Sequence, residues 1–79
     1  MDVVAGSVVL SKAGHDKGRF MVVVRVEGRF AYVCDGKLHK ACNPKLKNLK
    51  HIQPTSEIVN LPKTDKQLRK LLNNFGSVD

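Results

Sequence analysis

The chain has 79 residues, a size at which a single small domain buries roughly 60% of its unfolded surface. Fourteen Lys and Arg stand against seven Asp and Glu, a net charge of +7. A core this thin leaves little room for an enzyme-sized cleft, and the charge favours an anionic partner such as nucleic acid or a membrane surface.

In chain order, an apolar segment over residues 4–10 predicts a first strand. It runs into a loop containing Lys12, Gly14, His15, Asp16, Lys17, Gly18 and Arg19. Gly14 and Gly18 permit positive φ, and Asp16 is expected to shape the loop through side-chain to backbone hydrogen bonds. A short basic loop held on a β-scaffold suits phosphate groups. Residues 20–27 predict a second strand, with Phe20, Val22, Val24 and Val26 on its core face by the period of two. Met21, Val23, Arg25 and Glu27 then form a mixed, partly exposed face. Gly28 and Arg29 turn the chain into a third strand over residues 30–34.

Asp35-Gly36 signals a two-residue hairpin of type I′. That register pairs Cys34 with Lys37, Val33 with Leu38 and Tyr32 with His39. It sends Val33 and Leu38 to the core, and places Tyr32 and His39 together on the other face. Asn43-Pro44 is expected to break this fourth strand, and residues 49–53 form a last short strand before Pro54. Four or five short strands in about fifty residues fit a small, strongly curved barrel.

The C-terminal segment has a different period. Thr64 and Gln67 have the spacing of a capping box, with Thr64 as N-cap. Leu68, Leu71, Leu72 and Phe75 recur at helical spacing, and Gly76 suits the position just past the helix. The apolar stripe is expected to pack on an open side of the barrel, with a partner-binding helix as the competing reading. The expected organisation is therefore a barrel over residues 1–56 and a linker and helix over residues 57–79, packed on the same domain.

The charge is unevenly distributed. No acidic residue occurs over residues 36–56, whereas Lys37, Lys40, Lys45, Lys47, Lys50, His39 and His51 do. A solvated face ordinarily mixes its signs, so a one-signed stretch points towards a ligand. Lys45, Lys47 and Lys50 can present ammonium groups along one side of an extended chain. Asn48 adds an amide for base edges or sugar hydroxyls, and His15 and His51 can stack on bases or donate to phosphate. One Tyr and three Phe are too few for the stacking display of single-strand binders, so structured RNA gripped through its backbone is the expected ligand.

The residues Gly6, Val8, Val9, Ala13-Gly14 and Lys17-Gly18-Arg19, with the strand from Val22 to Val26, resemble the KOW motif of ribosomal proteins and NusG-type transcription factors. The likeness extends through Asp35-Gly36-Lys37 and residues 43–51, covering roughly residues 3–53. In this span the chain is similar to the KOW-type family of the fourteenth large-subunit ribosomal protein of archaea and eukaryotes. The resemblance implies an SH3-like barrel and an RNA partner, ribosomal RNA in particular, with ribosomal proteins as further neighbours. NusG-type KOW domains also bind proteins, so an SH3-like protein-interaction module, using Tyr32, Met21 and the helix, is the alternative.

Other chemistries find less support. Cys34, His39, Cys42 and His51 are residue types that bind zinc, but their spacing matches no compact zinc finger. The expected hairpin also sets the two cysteines too far apart for one metal or a disulfide. No cysteine–histidine pair has a placed third group, no two carboxylates are brought together, and residues 14–18 lack the length and following helix of a Walker loop. No enzyme, metal or cofactor is expected. No stretch approaches the ~20 apolar residues of a membrane span, and no secretion signal is read at the N-terminus. The expectation is a monomeric cytoplasmic protein, not bound to membrane, with reduced thiols.

Overall fold

The computed structural model describes residues 3–76. Five antiparallel strands, β1 (Ser7–Ser11), β2 (Phe20–Glu27), β3 (Phe30–Cys34), β4 (Lys45–Asn48) and β5 (Ile52–Ile58), form one sheet in the order β4-β3-β2-β1-β5. A 3-10 turn, η1 (Leu49–His51), links β4 to β5, and one helix, α1 (Asp65–Gly76), follows. The fold is mainly β, and the sheet is not closed: β4 and β5 are its edges. Residues 1–2 and 77–79, which belong to the two expected segments, lie outside the described residues.

Both faces of the sheet are buried at its centre. On one face Val9, Met21, Val23, Ala31, Val33 and Ile52 form a cluster at 0–3% exposure. Val3 and, from η1, Leu49 pack against this cluster. On the other face Val8, Val22 and Cys34 meet Leu68 and Leu72 of α1. Phe20 and Phe75 extend that contact, with ring centroids 5.8 Å apart and planes tilted by 40°. At about 1.5–3 kcal/mol for each fully buried large aliphatic side chain, Leu68 and Leu72 hold the helix on the sheet.

The helix begins as its sequence pattern requires. The Thr64 hydroxyl accepts from the Gln67 amide at 3.1 Å, satisfying one of the orphan donors of the first turn. The reciprocal bond of a capping box lands one residue early, with Gln67 Oε1 accepting from the Lys63 amide. Gly76 is the last helical residue rather than the one beyond it.

Four expectations are corrected. Residues 4–6 are not strand: Val4 and Ser7 exchange hydrogen bonds across a turn, and β1 starts at Ser7. Met21 and Val23, expected on a mixed face, are fully buried. Strict alternation along β2 also fails, because its pairing with β3 shifts between Val23 and Arg25. Val26, expected in the core, is exposed. The Asp35-Gly36 hairpin does not form. Asp35 Oδ1 instead accepts from the Lys37 and His39 amides, both at 2.9 Å, and ties residues 35–39 into a loop. Leu38 is left 54% exposed, His39 does not lie opposite Tyr32, and β3 pairs with β4 through Val33–Lys45, Tyr32–Leu46, Ala31–Lys47 and Phe30–Asn48. Asn43-Pro44 thus leads into the fourth strand rather than ending it. Finally, the last strand runs through Pro54 to Ile58; on an edge strand the missing proline N–H costs no ladder bond on the open side.

Candidate nucleic-acid interface

The loop between β1 and β2 is closed by its own backbone. The Ser11 amide donates to Arg19 O at 2.9 Å, Gly18 to Ser11 O at 2.9 Å, Arg19 to Asp16 O at 2.9 Å and Lys17 to Gly14 O at 3.2 Å. Gly14 (φ 86°) and Gly18 (φ 89°) supply the left-handed positions. Lys12, His15, Lys17 and Arg19 are all exposed around this loop.

Asp16 is the centre of the site. It is 3% exposed and collects three side-chain donors: Ser11 Oγ at 2.7 Å and Lys47 Nζ at 2.6 Å on Oδ1, and His39 Nε2 at 3.0 Å on Oδ2. Burial pushes its carboxyl up, but the hydrogen bonds from Lys47, Ser11 and His39 and the Lys47 charge outweigh that, and the pKa falls to about 2. Asp16 therefore joins three segments distant in sequence: its own loop, residues 35–44 through His39, and β4 through Lys47. The Lys47 ammonium also donates to Ala13 O at 2.8 Å.

Lys47 is thus an internal residue, 8% exposed, with its ammonium spent on Asp16 and Ala13. It is set apart from the other residues singled out in the sequence. Lys45, Lys50 and His51 are exposed beside it, and the Lys12 amide donates to His51 O at 2.8 Å, which brings the β1–β2 loop against η1. Two basic segments, residues 12–19 and 45–51, are in this way fixed side by side. Asn48 is half-buried; its Oδ1 caps η1 by accepting from the Lys50 amide at 3.1 Å, and its amide N–H groups face no protein acceptor among the hydrogen bonds of the described residues. Lys37 and Lys40 are exposed on the 35–44 loop.

That loop is anchored to α1. Asp65 Oδ1 accepts from the Ala41 amide at 2.7 Å, and Arg69 Nη1 donates to Gly36 O at 2.7 Å. Gly36 has φ of 79°, and a Cβ there would stand 2.5 Å from Asp65 O and 3.0 Å from Arg69 Cγ, so only glycine fits. Arg69 was not among the residues singled out in the sequence. Its spacing placed it on the polar face of the helix, and nothing in the order of residues indicated that this face meets the 35–44 loop.

The two cysteines are free, Cys34 buried and Cys42 exposed. Burial, then the charges of Asp65 and Asp35, push the Cys34 thiol up to about 11, so it stays protonated at neutral pH. Its Sγ lies 3.9 Å from Val22 O. His39, another member of the possible zinc set, is engaged by Asp16. Among the described residues no group of three or more His, Cys, Asp or Glu is placed to hold a metal ion, and no helix is long and apolar enough to cross a membrane. Comparison of the chain with models of known protein families and with curated proteins finds no match.

Proposed function

We propose that this chain is a non-catalytic RNA-binding protein of KOW type, contacting ribosomal RNA or docking on ribosomes in the cytoplasm. The observation that carries this reading is the side-by-side fixing of the β1–β2 loop and residues 45–51. Lys12, Lys17 and Arg19 on the first segment and Lys45 and Lys50 on the second are all exposed, while the carboxylate between the segments, Asp16, is neutralised internally by Lys47. The strand order, with β5 beside β1 and a 3-10 turn before it, supports reading the open sheet as an SH3-like barrel left unclosed between β4 and β5.

In mechanism, the exposed cations lie along phosphates and release condensed counterions. With these five and one of the exposed Lys37 and Lys40 engaged, about six cations in all, the log–log slope of affinity against salt is about −4 to −6. Recognition is through backbone and shape, since the surface offers few stacking groups. Sedimentation of the tagged protein on a sucrose gradient tests the reading. It is expected in ribosomal fractions at low salt, lost from them after ribonuclease or a high-salt wash. A protein that stays at the top of the gradient in every condition overturns the ribosome assignment.

A protein-interaction module is the second reading, favoured by one observation. Arg25, Tyr32 and Leu46 face one another across β2, β3 and β4, with the Arg25 guanidinium 4.4 Å from the Tyr32 ring centroid and Leu46 and Phe30 exposed. The double variant K45E/K50E separates the two readings, because neither residue is buried. Loss of RNA binding with the fold intact supports RNA; unchanged association with a protein partner and no RNA binding in the parent chain supports the alternative. Lys47 is excluded from that variant, since reversing it places two negative charges together in the interior.

A further inference from the structure

A cleft of about 400 Å³ opens between the end of the β1–β2 loop, the 35–37 turn and α1. The volume falls within the ~300–1,000 Å³ usual for small-ligand sites. Three cations, Arg19, Lys37 and Arg69, and one carboxylate, Asp35, line it together with Phe20, Leu72 and Asn73. The 35–37 turn fixes one of these cations and lies beside a second. Arg69 Nη1 is fixed on Gly36 O at 2.7 Å, and Arg19 Nη1 lies 3.7 Å from Asp35 Oδ2, an oxygen that is buried and has no hydrogen-bond donor. A guanidinium carries five N–H donors, so Arg69 spends one on the turn and keeps four. Asp35 draws Arg19 towards the cleft without meeting any hydrogen-bond need of its own. Fixing the Arg69 guanidinium in advance lowers the entropy lost when it closes on an anion.

Phe20 and Leu72 supply apolar surface between these charges, and the exposed Asn73 supplies an amide with both donor and acceptor. A simple anion has no use for that apolar surface; a nucleotide has a phosphate and a flat base. We propose that the cleft takes one unstacked nucleotide of the bound RNA, its phosphate among Arg19, Lys37 and Arg69 and its base against Phe20, Leu72 and Asn73. This inference rests on the RNA reading above and extends that interface onto α1. Single-stranded nucleotides splayed from structured RNA are the elements proteins read by base edges and aromatic contact.

The test is a titration of the isotope-labelled chain with a short RNA hairpin carrying an unpaired loop of mixed sequence, followed by NMR, with inorganic phosphate as a separate arm. RNA is expected to shift the Arg69 Nε–H, the Asn73 side-chain amide and the Phe20 ring, together with Lys12 and Lys50. In Asn73→Glu, which adds a negative charge at an exposed position, the Arg69 Nε–H and the Phe20 ring are expected to stop responding while Lys12 and Lys50 still respond, and RNA affinity falls about tenfold, the scale of one charged contact. Movement of Lys12 and Lys50 with Arg69, Asn73 and Phe20 still overturns the nucleotide site alone. No movement at any residue overturns the RNA reading with it. Phosphate reproducing the whole pattern, Phe20 included, overturns the nucleotide in favour of a plain anion.

Discussion

Replacing Lys47 with Met removes an ammonium that lies 2.6 Å from Asp16 Oδ1 and 2.8 Å from Ala13 O. The methionine fills similar space, so the cost is electrostatic rather than a cavity. Asp16, 3% exposed, is left with Ser11 Oγ at 2.7 Å and His39 Nε2 at 3.0 Å as its donors. Stripping one partner from a buried pair costs about 3–5 kcal/mol; the two surviving donors hold the loss near the lower end, about 3 kcal/mol. A domain of this size has about 4–12 kcal/mol of stability in total, so K47M remains folded in water but fragile. With a urea m-value of about 1 kcal/mol/M, the denaturation midpoint falls by about 3 M. Asp16→Leu is also destabilising, since it leaves the Lys47 ammonium buried on Ala13 O alone. The double variant D16L/K47M is expected to recover at least about 2 kcal/mol of the summed losses. Single-variant losses below about 1 kcal/mol that simply add would refute the placement of Lys47 as an internal ion-pair partner.

The depressed carboxyl of Asp16 gives stability a defined acid limb. Its contribution, about 2 kcal/mol from the fall from 3.8 to about 2, is complete above pH ~5 and lost as pH falls towards 2. Asp16→Asn should therefore flatten the acid limb of a pH–stability curve, and an unchanged limb contradicts the assignment. Thiol labelling of the native chain at pH 8 should modify Cys42 quickly and Cys34 only on unfolding; two equal fast phases would show Cys34 to be accessible. Gly36→Ala forces a side chain into positive φ and against Asp65 O, at a cost of at least about 2 kcal/mol in chemical denaturation. A neutral or stabilising result would mean that the 35–37 turn does not sit against α1.

How far the sequence disclosed this arrangement varied with the physics of each element. The limits of β2 and β3 were legible because apolar runs bounded by glycine and charge leave little choice. The faces of β2 were not: a period-two reading assumes one wet face, whereas Met21-Val22-Val23 is buried on both, Val22 against α1 and Met21 and Val23 in the cluster on the opposite face. The helix was legible from Thr64 through Phe75, because local capping and spacing determine it. Asp35-Gly36 misled because the Asp35 side chain competes for the amides of Lys37 and His39, and such a choice between hairpin and side-chain-closed loop is decided by tertiary contacts, here from Asp65 and Arg69. The basic segments were legible as composition. The inward turn of Lys47 was not, since its partner lies thirty-one positions earlier and a lysine between two others reads as surface.

If exposed cations of the two neighbouring segments grip RNA phosphates, the affinity for purified ribosomal RNA depends on salt, and it does so differently in the parent chain and in K45Q/K50Q. The prediction is a log–log slope of about −4 to −6 for the parent, flattened by about 0.7–0.9 for each lysine removed. A parent chain whose affinity is indifferent to salt, or a double variant with an unchanged slope, would contradict it.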